Sequence, residues 1–136
     1  MRIAVSFALF VYLVVQPLRA NLIAFYAIKS NIAPASQTTL LELAHRLDSC
    51  NVPILDKLGD KWAETKNYIM AANAYGRILP CSPGNALARF KFGQAVLLMG
   101  FYGGTYAVKE ATLLEPNNPI YAAELKRLMA LQPQSQ

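Results

Sequence analysis

The chain has 136 residues, room for one domain, and is 54% hydrophobic but only 15% charged, against about 25% in an average soluble domain. Its net charge of +5 comes from 13 basic and 8 acidic side chains, and with Arg2, Arg19 and Lys29 set apart as flanks of apolar segments, ten basic residues face eight acidic ones. That scattered surplus excludes a nucleic-acid footprint, and two cysteines with one histidine are too few for a zinc site, so neither metal nor cofactor is expected.

In chain order, Ile3 to Val15 is a run without charge, and Leu22 to Ile28 is nearly as apolar. Residues 1–29 therefore read as a transmembrane anchor or a signal segment, with membrane contact through residues 3–28. A secretory signal would place Ala20 at its cleavage position. The anchor reading has its own difficulty, since Ile3 to Leu18 falls short of the roughly 20 apolar residues a bilayer core demands. Continuing to Ile28 encloses Pro17, Arg19 and Asn21, and a charge there is tolerable only near the interface. Bulky Leu18 and its neighbour Arg19 are unusual before a scissile bond, which favours the retained anchor. Arg2 opposes Arg19 and Lys29 in setting orientation, and the signal-like start favours a C-terminal part on the exported side, periplasmic or extracytoplasmic.

Residues 30–37 read as a linker in which Ser36 or Thr38 can cap the next helix. A helical domain over 38–131 follows. Thr39 to Asp48 carries Leu40, Leu41, Ala44 and Leu47 on one face. Asn51-Val52-Pro53 breaks it, and helices from Ile54 to Lys66 and from Tyr68 to Leu79 come next. The stretch from Pro80 to Asn85 is a strong breaker. Two further helices divide at Gly100, Glu115 to Pro119 breaks again, and a last helix runs from Ile120 to Leu131. The tail 132–136 is polar and expected to fray. No stretch alternates with period two, so the fold class is all-α.

The decisive signal is internal repetition. Leu58-Gly59 recurs as Phe92-Gly93 and Tyr68 as Tyr102, each 34 residues later, and Pro83 recurs as Pro116 one residue short. Over about Val52 to Leu131 the chain resembles the tetratricopeptide repeat (TPR) family, in its small membrane-anchored form. Leu58, Gly59, Trp62, Tyr68, Ala71, Tyr75 and Pro83 fall in the family's register. The second repeat keeps Phe92, Gly93, Gly100, Tyr102, Gly104, Ala111 and Pro116 after a one-residue deletion. Leu41, Ala44 and Leu47 fit the second helix of a preceding half repeat, against which Leu22 to Ile28 is available to pack. Small residues sit where backbones must touch, and Trp62, Tyr75 and Phe92 fill the space between layers.

The resemblance implies a right-handed stack whose concave face is lined mainly by the first helix of each repeat. There Asp56, Asp60 and Glu64 recur every four residues as an acidic stripe, followed by Phe90, Lys91, Gln94 and Leu97 and, on the last helix, Tyr121. Such a groove suits an amphipathic helix or an extended peptide with a basic residue. The TPR subclass that grips chaperone tails uses Lys, Asn and Arg at these positions, where this chain has Asp56, Asp60 and Phe90. The expected function is thus a membrane-tethered scaffold, with no catalytic residues, that binds a protein or peptide in a membrane or envelope assembly. A detached tail of a membrane glycan ligase or polymerase, and a purely structural subunit of a membrane complex, are the alternatives. His45 reads as a surface residue and Cys81 as a small core residue. Cys50 ends the preceding helix, where an exported domain could join it to Cys81.

Overall fold

The computed structural model describes residues 11–131, which form seven α-helices and no strand. A short π-helical turn, Val11–Val15, leads into α1 (Gln16–Lys29), followed by α2 (Pro34–Leu47), α3 (Val52–Glu64), α4 (Tyr68–Cys81), α5 (Ala86–Leu98), α6 (Gly104–Leu114) and α7 (Pro119–Leu131). Each helix packs mainly on its sequence neighbours. The result is three hairpins, α1–α2, α3–α4 and α5–α6, closed by α7.

Where the sequence suggested half a repeat before Asn51, the structure has a whole hairpin. Ala20, Ala24 and Ala27 lie on one stripe of α1 and are buried against Leu41, Ala44 and Ile54. Among the described residues no helix is long and apolar enough to cross a membrane. The apolarity of 16–29 is two-sided, with alanines inward and Leu18, Leu22, Phe25 and Tyr26 exposed outward. The run from Ile3 to Phe10 and the tail 132–136 lie outside the described residues.

Helix boundaries shift for identifiable reasons. α2 starts at Pro34, inside the expected linker, because a proline in the first turn lacks only an N–H that the turn leaves unpaired. Thr38 does not cap it, since its hydroxyl donates back to the Ala35 carbonyl at 2.8 Å. The next three helices are capped by asparagine. The side chains of Asn51, Asn67 and Asn85 accept from the N–H groups of Ile54, Met70 and Ala88 at 3.3, 3.2 and 2.9 Å. Asn51 therefore opens α3 at Val52, two residues before the expected start. At the other end of the pair, α4 continues through Pro80 to Cys81.

Two glycine contacts set the hairpin geometry. A Cβ on Gly59 would collide with the Tyr75 ring, so α3 and α4 approach only because that position is bare. In the third hairpin Gly93 and Gly104 face each other, and a Cβ on Gly93 would stand 2.8 Å from the Gly104 carbonyl. Cys50 and Cys81 are joined in a disulfide with Cα atoms 5.6 Å apart, linking the turn after α2 to the end of α4.

Candidate peptide-binding groove

The first helices of the three hairpins, α1, α3 and α5, border an open groove of about 540 Å³. Asn21, Phe25 and Ile28 come from α1, Val52, Ile54, Asp56 and Lys57 from α3, and Leu87 from α5. Phe25, Ile28 and Leu87 are exposed, so the groove presents apolar surface to an incoming chain. Asp56 and Lys57 give it one polar edge.

The eight residues singled out from sequence separate into different environments. Lys91 reaches from α5 to α3 and donates to Asp56 at 2.7 Å and Asp60 at 2.8 Å. The Tyr75 hydroxyl donates to Asp60 at 2.9 Å, and the Lys91 ammonium stands 5.5 Å above the Tyr75 ring. Burial pulls the Lys91 ammonium down, but its bonds to the two carboxylates outweigh that effect and its pKa is raised. Burial first, and then the bond to Asp60, push the Tyr75 hydroxyl far above its ordinary value. Two of the three stripe carboxylates are thus committed to holding α5 against α3. Glu64, at the far end of α3, is exposed and pairs with Lys61 at 2.8 Å.

Phe90 and Tyr121 are buried, with ring centroids 4.5 Å apart, and form the core between α5 and α7. Gln94 and Leu97 border a separate depression of about 360 Å³ beside Glu124 and Arg127. Of the eight, only Asp56 also lines the 540 Å³ groove. Asn21, Phe25, Ile28, Val52, Ile54 and Leu87 were not singled out. The signal that could have found the α1 members is the alanine stripe 20, 24, 27, which marks a packed helix rather than a lipid-facing one.

Paired helices with glycine at the crossings, stacked in a row with an open face along the first helices, define a TPR fold. No family model and no curated protein matches the chain in sequence. Solved structures do match in fold. The Arabidopsis OM64 TPR domain superposes with a TM-score of 0.74 at 16% identity, covering 86% of this chain and 99% of that one. The first TPR of Spaghetti (RPAP3), bound to the HSP90 peptide SRMEEVD, gives a TM-score of 0.68 at 14% identity, covering 85% and 89%. MamA from MSR-1 gives 0.65 at 23% identity, covering 80% of this chain and 62% of that one.

Proposed function

We propose that the chain is a membrane-tethered scaffold that holds a protein or peptide in the groove between α1, α3 and α5, working by binding rather than by catalysis. The observation that carries this reading is the open apolar groove itself, whose exposed Phe25, Ile28 and Leu87 would be covered by the apolar side of a bound segment. A structural neighbour in complex with a peptide supports the same use of the fold. Because Lys91 occupies Asp56 and Asp60, the ligand's apolar residues contribute more than a basic one.

Tethering is supported by the charge-free run from Ile3 to Val15, which leads into the outward apolar residues of α1. Ala20 is fully buried in the stack, and removal of the chain up to it would take the first turns of α1. That favours retention of the N-terminal segment. The Cys50–Cys81 disulfide supports placing the domain on the exported, oxidising side.

The test is photo-crosslinking of the full chain in its native membrane, with benzoylphenylalanine at position 25 or 87 and at 126 as control. Adducts of defined mass at 25 and 87, absent at 126, are expected. Equal labelling at all three would sink the groove. An alkaline wash followed by intact-mass measurement tests the tether, and a soluble chain lacking Met1 to Ala20 would overturn it.

A further inference from the structure

The second helices of the first two hairpins border a different, solvent-open cavity, away from the groove. It has a volume of about 340 Å³ and lies between α2 and α4, with the C-terminal half of α3 beneath it. Its apolar lining includes Leu58, Ala74 and Trp62, and its polar lining includes Arg46 and Arg77. Neither guanidinium forms an ion pair among the described residues, although Lys57, Lys61, Arg89, Lys91 and Arg127 all do. Glu42 is the one acidic side chain in the lining.

Two lining side chains carry buried nitrogens without a hydrogen-bond partner, Trp62 Nε1 and His45 Nδ1. An unmet buried donor costs on the order of 1–3 kcal/mol. The cavity therefore combines two exposed arginines without an ion-pair partner among the described residues, opposed by the single carboxylate of Glu42, with a buried indole N–H lacking an acceptor and an apolar lining. We infer that it is a binding site for an amino-acid-sized carboxylate, with the anionic end at Arg46 and Arg77 and an apolar body over Leu58 and Ala74. A planar carboxylate can take two parallel N–H bonds from one guanidinium. A hydrated inorganic anion would leave the apolar lining unused.

The ligand chemistry is shared by a free carboxylic acid and by the C-terminal residue of a peptide, and the site is independent of the groove proposed above. Trp62 is the single tryptophan of the chain, so intrinsic fluorescence of the intact protein reports on this cavity. The probes are N-acetyl-leucine, N-acetyl-leucinamide, and a six-residue peptide ending in leucine with a free or amidated terminus. A saturable change with the free acids and none with the amides is expected, and Arg77→Gln should weaken binding at least tenfold while Arg127→Gln leaves it unchanged. Tighter binding of the peptide acid than of N-acetyl-leucine identifies a partner's terminus as the source, and equal binding identifies a free acid. Equal responses to acid and amide, an undiminished response in Arg77→Gln, or no saturable response at all would each overturn the site.

Discussion

In the central hairpin α3 and α4 meet over Gly59, which is filled by the ring of Tyr75, whereas in the first hairpin α1 and α2 meet over Ala20, Ala24 and Ala27, facing Leu41 and Ala44. Both solutions bring two helices close, but they differ in tolerance. A glycine under an aromatic ring admits no side chain. An alanine stripe spreads the contact over three turns, so each position carries a smaller share. The central hairpin is also asparagine-capped at both helices, while neither α1 nor α2 has a side-chain cap.

The largest expected effect comes from the third hairpin, which carries the glycine solution to its limit. In Gly104→Val the new Cβ alone would collide with the Gly93 carbonyl oxygen and stand 2.7 Å from Leu97 Cγ and 3.0 Å from the Leu97 backbone nitrogen, and the two backbone atoms cannot withdraw cheaply. Circular dichroism should show no cooperative urea transition, whereas Ala24→Gly in the first hairpin should lose only about 1 kcal/mol. A normal transition in Gly104→Val would mean that the two glycines do not set the crossing.

Replacing Cys50 and Cys81 together by serine should lower stability by about 3–4 kcal/mol, from the 31-residue separation that the bridge closes. Reductant should reproduce that loss in the parent and change nothing in the double variant. Leu41→Ala, at a fully buried site in the first hairpin, should cost about 3 kcal/mol in the same urea assay. A cost under about 1 kcal/mol there would show that the first hairpin is only loosely docked.

The Lys91 network gives a smaller, pH-dependent effect. Its folded pKa is raised above the ordinary 10.5, so its contribution is complete below that value and is lost as pH rises through the folded value. Lys91→Met should flatten this alkaline loss in thermal scans. His45 acts in the opposite sense and should be the weakest effect. Burial first, and then Arg77, hold its pKa below 6.5, against the opposing pull of Asp48 and Glu42. The unfolded chain therefore takes up the proton more readily, and stability should fall as pH drops below about 6.5, a slope that His45→Gln removes.

How much could be read from sequence follows the same division. The central and third hairpins were legible because Leu58, Gly59, Trp62 and Tyr75 and their counterparts meet one packing demand with one set of residue types. Thirty-four residues upstream of Leu58 and Gly59 stand Ala24, which packs as part of an alanine stripe, and Phe25, which is exposed, so the first hairpin lacks the repeated pair and reads as part of an anchor. The acidic stripe was visible as a one-helix pattern. That Lys91 would neutralise it was not, because the contact spans 31 and 35 residues and depends on how two helices cross. The open groove was missed for the same reason, since one wall of it belongs to α1.

The disulfide also decides how the molecule would carry mechanical load. A pull at the N-terminal side would peel α1 and α2 away and then arrive at Cys50, where the covalent bridge passes the force straight to Cys81. Residues 51–80 form a loop outside that load path. The α3 wall of the groove would keep its shape under tension that had already unravelled the helices before it, and the force would next be felt at α5.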